Sequence, residues 1–330
     1  MDINELLIGR LRQLEEKYAA AGQNLDAYLE GLLYAEYLPY WDYIHLDVLL
    51  SLQKPRTAFP DEQIFIMYHQ ITELYFRLVL HEMDQISAAD APVCAWVVAR
   101  VERMNRYFEA LRHSFTIMVD GMEPQQFLKF RMALLPASGF QSAQYRRIEL
   151  SATDLLNLVD RRVRSDLKGD ESPEQLFEHI YWKQGATELK SGKATLTLRQ
   201  FEARYRDELL LLAQKKQNTN LYAVYRRLLA EVQNPVEAGN QASSGNEDVS
   251  ALRDALRRFD RHVNVWWPLA HYRSAVRYLQ GDPDTIAATG GTNWQQYLPP
   301  RLQLRIFFPE LWSEEEKSDW GRRNLAEDGA

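Results

Sequence analysis

Two histidines far apart in the chain have the surroundings in which an imidazole does chemistry. His69 lies in DEQIFIMYHQITELYFRLVLHEM, residues 61–83, where Phe65, His69, Phe76 and Leu80 fall on one helical face with Thr72 between them. His271 lies in VWWPLAHYRSAVRYL, another aromatic stretch. A histidine so placed suits a core position, bonded to a backbone carbonyl, or a pocket wall. A single histidine is also enough to ligate haem, whose other need is an apolar slot, and His271 fits that role or a plain core position. Other metal chemistry finds no support in the spacing. The seven histidines are His45, His69, His81, His113, His179, His262 and His271, and none forms H-E-x-x-H or a paired E-x-x-H. Cys94 is the only cysteine, which rules out an intrachain disulfide and leaves no Cys-based zinc or iron–sulfur set. No Gly-rich phosphate loop, G-x-S-x-G elbow or cysteine nucleophile motif is present.

The elements that must position these groups read as helices. Pro60 precedes Asp61 and Glu62, which put negative charge where a helix N-terminus favours it. Residues 3–32 carry two apolar stripes (Leu7, Leu11, Leu14, Tyr18; then Leu25, Tyr28, Leu29, Leu32) separated by Gly22. Residues 37–55 are rich in tyrosine and punctuated by Pro39 and Pro55. Residues 95–119 form a further helical run, and in QQFLKFRM, after Pro124, Phe127, Phe130 and Arg131 stand at i, i+3 and i+4. A helix follows from Gln141, and another spans 250–280. Alternating, strand-like patterns are scarce. The expected fold is all-α, a single large helical domain with a pocket between helices. Its expected organisation is an N-terminal helical arm (1–36), a helical catalytic domain (37–312) containing a mobile loop at 233–249, and a charged tail (313–330).

Composition narrows the class. The chain has 330 residues, 46% hydrophobic and 12% aromatic, enough for a substantial core. The net charge of −7, from 39 Lys+Arg against 46 Asp+Glu, lacks the basic excess of a general nucleic-acid binder. No run is long and apolar enough for a membrane span, and the amphipathic, charged N-terminus is unlike a signal peptide. A cytoplasmic protein is expected, binding neither nucleic acid nor membrane.

Four blocks, in order, resemble the tryptophan 2,3-dioxygenase family. They are YWDYIHLDVLLSLQ (40–53), DEQIFIMYHQITELYFRLVLHEM (61–83), FLKFRMALLPASGFQSAQYRRIE (127–149) and a C-terminal set of HYRSAVRYL (271–279), TGG (289–291) and FFPELW (307–312). The third, with its Ser-Gly-Phe-Gln-Ser core, is the most specific. The resemblance covers 40–153 and 255–312 and is weak between them. It implies haem b as cofactor and dioxygen as co-substrate. His271 would be the axial ligand of the haem iron and Trp267 a neighbour on that side. His69 would face the indole N–H. Arg131 would grip the substrate carboxylate through its bidentate fork. Phe65 and Phe127 would line the indole pocket, Tyr40, Tyr43 and Ile44 would close it from an adjacent subunit, and Thr289 and Ser138 would complete it. The N-terminal arm would cross between subunits of a homotetramer. The implied reaction inserts dioxygen across the indole C2–C3 bond of L-tryptophan, or a close indole amino acid, giving an N-formylkynurenine-type product.

One region departs from the family pattern. The stretch between His271 and TGG is longer, with GDPDTIAA in place of a shorter basic turn, and Thr292-Asn293-Trp294 follow where the family has Ser-Ser-Gly. Two alternatives therefore stand beside the dioxygenase. One is a haem monooxygenase of the same fold making an oxindole or hydroxylated tryptophan in secondary metabolism. The other is a non-catalytic sensor that binds haem or indoles.

Overall fold

A computed structural model of the chain describes residues 3–134, 139–186, 193–233, 246–279 and 299–322. Ser138, Thr289, the residues after TGG and most of the expected mobile loop at 233–249 lie outside these ranges. No β-strand forms among the described residues, and the antiparallel bridge between Val159 and Ile180 is isolated. The fold is all-α.

Two compact units divide between Lys54 and Pro55, so the tyrosine-rich segment belongs with the N-terminal helices. In the first unit, α1 (Ile3–Ala20) turns at Gly22, whose φ of 68° suits a residue without Cβ. It then meets α2 (Leu25–Leu33), where Asn24 accepts the Ala27 N–H at 3.2 Å as an N-cap. Tyr18 and Tyr28 meet edge to face at 5.0 Å. The short helices α3 (Tyr40–Tyr43) and α4 (Leu46–Leu50) join through His45, which is left-handed at φ 51°. These helices expose leucines and tyrosines to an unusual degree, with Leu33 85% and Tyr37 89% exposed.

The second unit is built on α5 (Asp61–Ala88), which has no glycine or proline along its length. It buries Tyr68, Thr72, Phe76, Val79, Leu80, Met83 and Ile86 on the face that the helical spacing selects. That face packs on α6 (Cys94–Ser114) and α9 (Ala143–Ala152). The helical run expected at 95–119 is interrupted at Phe115, after which the short α7 (Thr116–Val119) and α8 (Pro124–Phe130) follow. Around the middle of the chain come α10 (Leu155–Leu158), α11 (Arg161–Arg164), α12 (Pro173–Glu178) and α13 (Tyr181–Gly185). Then come α14 (Leu196–Lys216), α15 (Leu221–Gln233) and α16 (Asn246–Arg261).

The helix expected over 250–280 is not continuous. After α16 the turns widen into a π-helical segment, His262–Trp266, before α17 (Trp267–Leu279). Pro268 accounts for this: it has no N–H to give the carbonyl four residues back, and its ring crowds that carbonyl, so the preceding turn loosens. The Trp267 N–H bonds the His262 carbonyl instead. Side-chain hydrogen bonds hold the irregular turn and the residue that leads into it. The Tyr145 hydroxyl donates to the Val263 carbonyl at 2.9 Å. The Asn264 amide donates to Asp260 at 2.7 Å. Asp260, fully buried, also accepts the N–H groups of Phe307 (3.0 Å) and Phe308 (3.2 Å) and the Trp312 indole N–H (3.0 Å). Burial pushes the Asp260 carboxyl up to about 6 despite those donors. The FFPELW block is thus the partner of one buried carboxylate. Order continues past it, because Trp320 is buried with its ring 4.9 Å from that of Trp312.

Candidate functional site

The start of α5 is tied to the start of α8. Asp61 accepts the Glu123 N–H at 2.6 Å and gives its own N–H to Gln126 at 3.2 Å. The buried Glu62 carboxylate gathers the N–H groups of Arg56 and Thr57 at 2.8 and 2.7 Å, and Arg56 in turn donates to the Ala133 carbonyl at 3.1 Å. These bonds hold the first turns of α5 beside α8 and the 3₁₀ turn Arg131–Leu134 that continues it.

Aromatic rings fill the angle between the two elements. Phe65 lies 6.3 Å from Phe127 and 5.8 Å from Phe130, and Phe127 and Phe130 meet edge to face at 5.5 Å. Arg131 follows directly, its N–H on the Phe127 carbonyl, as the i, i+4 spacing requires. Its side chain is only 5% exposed, and burial lowers its pKa. A guanidinium there has lost most of its water, and a carboxylate is the ligand whose shape and charge suit it best.

His69 stacks on Phe65 with ring centroids 4.0 Å apart, and its Nδ1 lies 2.7 Å from the Phe65 carbonyl oxygen. A carbonyl can only accept, so Nδ1 carries the proton and Nε2 is left with its lone pair. Although the ring is exposed by surface area, desolvation pulls its pKa below the ordinary imidazole value. Those two facts together describe a side chain in the wall of a recess. At neutral pH His69 is an uncharged hydrogen-bond acceptor.

His271, from α17, reaches the same region. Tyr68 stands 5.7 Å from His69 and 5.6 Å from Phe115, and Phe115 stands 6.1 Å from His271. Burial chiefly, with a smaller electrostatic contribution from His69, lowers the His271 pKa to about 4, so the two imidazoles lie within electrostatic reach of each other. Trp267, one turn before His271, packs edge-on to Phe115 at 4.8 Å and to Phe76 at 5.8 Å. Gly139, in the Ser-Gly-Phe-Gln-Ser block, touches the His271 ring: a Cβ there would sit 2.9 Å from Cε1 and 3.6 Å from Nε2.

The tryptophan 2,3-dioxygenase family model matches residues 31–259 of this chain. The chain belongs to the tryptophan 2,3-dioxygenase family. It is 30% identical over 306 residues to tryptophan 2,3-dioxygenase of Ruegeria pomeroyi, covering 88% of this chain and 97% of that protein. The enzymes of the same name from Bradyrhizobium diazoefficiens and Pseudomonas fluorescens are 29% and 28% identical, over 83% and 85% of this chain and 91% of each relative. The match runs through the middle segment, where the sequence blocks are weakest, and ends before His271.

Membership in the tryptophan 2,3-dioxygenase family implies haem, and the residues present fit that group. His271 is neutral, so a ring nitrogen has a lone pair for iron, and neither nitrogen has a hydrogen-bond partner among the described residues. Phe115 and Trp267 make its surroundings apolar, and Gly139 leaves the edge of the imidazole without an obstructing side chain. Among the described residues, no group of three or more His, Cys, Asp or Glu is placed to hold a metal directly, and no helix is long and apolar enough to cross a membrane.

The structure therefore brings together Phe65, His69, Phe127, Arg131, Trp267 and His271. Tyr40, Tyr43 and Ile44 belong to the N-terminal unit, where Tyr40 and Tyr43 are largely exposed. Tyr68, Phe115, Phe130 and Tyr278 also line this cluster, and sequence reasoning missed them. Phe115 could have been found as the apolar residue at which the helical run breaks. Tyr278 carried a signal as well, lying two helical turns after His271 on the same face.

Proposed function

We propose that this protein is a haem-dependent oxygenase of L-tryptophan or a closely related indole amino acid, which inserts dioxygen across the indole C2–C3 bond to yield an N-formylkynurenine-type product. What supports this reading is a neutral His69 whose Nε2 keeps its lone pair, its stacking on the Phe65–Phe127 wall, and the buried Arg131 that follows Phe127 by one helical turn. An amino acid with an indole side chain offers the complement: an N–H donor, a flat apolar ring and a carboxylate. Haem, when bound, supplies an iron that activates dioxygen. His271 is the residue that would hold that iron. The remaining work is positioning. Arg131 pairs with the carboxylate at one end, His69 Nε2 accepts the indole N–H at the other, and Phe65 and Phe127 flank the ring and exclude water. Ser138 and Thr289 would add polar contacts to the ammonium and carboxylate.

Tyr40, Tyr43 and Ile44 would close the site from a neighbouring copy. The exposed leucines and tyrosines of α1–α4, and an exposed stripe on α5 (Met67, Ile71, Leu74, Leu78) at coiled-coil spacing, support a homo-oligomer, with a tetramer as the expected form. Because Thr292-Asn293-Trp294 follow TGG, insertion of a single oxygen is the second reading. The test is anaerobic reduction of the haem-loaded protein, addition of tryptophan and oxygen, and mass spectrometry. A gain of two oxygen atoms supports the dioxygenase and a gain of one the monooxygenase. Tight binding without turnover would leave the sensor.

A further inference from the structure

Tyr278 is a buried tyrosine, 5% exposed. It donates to the Met118 carbonyl at 2.5 Å and lies 3.4 Å from the Met122 carbonyl, so it spans the turn between α7 and α8. Its ring packs on Phe127 at 4.6 Å with a tilt of 42°. Filling this space would need only an apolar side chain. The hydroxyl adds a fixed anchor, which sets how far the ring presses on Phe127.

We propose that Tyr278 is a positioning residue that holds the Phe127 wall in place and thereby sets affinity for the indole end of the substrate. The proposal rests on the reading of Phe127 as part of that wall. Tyr278 shares α17 with His271, two turns away, while its ring touches the α8 side of the site. The same residue therefore mechanically joins the helix of the haem ligand to the surface that meets the indole. A residue acting this way should show its effect through Phe127 and should not distinguish indole ligands by their carboxylate.

The test uses the ferric, haem-loaded protein without turnover and reads ligand affinity from the shift of the Soret band. Tyr278→Phe, Phe127→Leu and the double variant are compared for L-tryptophan and for tryptamine, with haem content and melting temperature as controls. Tyr278→Phe should weaken both ligands measurably and to the same degree, by at most about tenfold, since one neutral hydrogen bond is the ceiling on what the lost anchor can cost. Haem content and the ligand-free Soret position should stay as in the parent. In the Phe127→Leu background the same change should have little further effect, because neighbouring residues that act together are not additive. An unchanged affinity in Tyr278→Phe, or an equal loss in both backgrounds, overturns the proposal. If Phe127→Leu itself leaves tryptophan affinity unchanged, the reading of the wall fails first and takes this inference with it. Tyr278→Leu, which also removes the ring, should weaken binding more than Tyr278→Phe, and the reverse order would equally count against the brace.

Discussion

Replacing Arg131 with leucine separates the carboxylate grip from everything else in the site. Arg131 is 5% exposed, so an ion pair formed there is poorly screened. Two opposite charges about 4 Å apart attract by about 4 kcal/mol at an effective dielectric constant near 20. The substrate carboxylate must give up water of its own, so the net loss on removing one partner of such a pair is about 2–5 kcal/mol. The lower end is the conservative figure, because the guanidinium stays charged at neutral pH and the carboxylate must give up its own water to meet it. About 2 kcal/mol corresponds to about a thirtyfold loss of affinity. Tryptamine has the same indole and ammonium but no carboxylate, which makes it the internal control. L-tryptophan should bind the parent protein more tightly than tryptamine, and Arg131→Leu should remove most of that difference while changing tryptamine affinity little. Titration of the Soret band with each ligand measures both constants on one sample, and the melting temperature reports any general loosening. If the tryptophan-to-tryptamine ratio survives the substitution, the guanidinium does not hold the carboxylate and the reasoning fails.

Further expectations concern the two imidazoles and their surroundings. His271→Ala should abolish stoichiometric haem binding, and a parent-like Soret spectrum would rule out its assignment as iron ligand. His69→Ala should retain haem but lose discrimination for the indole N–H. The ratio of kcat/KM for tryptophan over N1-methyltryptophan should fall several-fold, and an unchanged ratio would count against His69 Nε2 as the acceptor. Gly139→Ala places a methyl 2.9 Å from His271 Cε1, inside contact distance, and should lower the fraction of protein recovered with haem; full loading would show that the ring and residue 139 are free to part. Burial, with help from Arg112 and Arg258, lowers the His262 pKa to about 3. Between that value and its unfolded pKa of about 6.5, the unfolded chain binds more protons at this residue, so stability is lost as pH falls through that window. The melting temperature of the parent should therefore drop more steeply than that of His262→Gln on acidification from pH 6.5 towards 4, and parallel curves would contradict the assignment.

Much of the site was legible in short-range patterns. Helical periodicity put Phe65 and His69 on one face and Arg131 beside Phe127, and the structure keeps both relations because they are set within a single turn or two of helix. The π-helical turn before α17 is encoded by Pro268, although periodicity alone predicts a continuous helix there. Apolar periodicity does not register the loss of one backbone donor. Phe115, Tyr68 and Tyr278 escaped because an apolar or aromatic residue in a helix gives no sign of which helix it will touch. The middle segment, without legible chemistry, packs on α9 through α10, α14 and α15, and the family match runs through it.

By itself the sequence determined the helical class, the buried face of α5, the charge and cysteine limits on function and the residues able to act as base, cation or ligand. These are local properties of residue type and spacing. Only the tertiary structure decided that residues 69 and 271, from opposite halves of the chain, come within electrostatic reach of each other. It also decided that His69 is the Nδ1–H tautomer, and that Arg131 is buried beside the phenylalanine wall. Tautomer and pKa depend on which groups replace water around a side chain, and that is set by packing between segments rather than by the order in which they are joined.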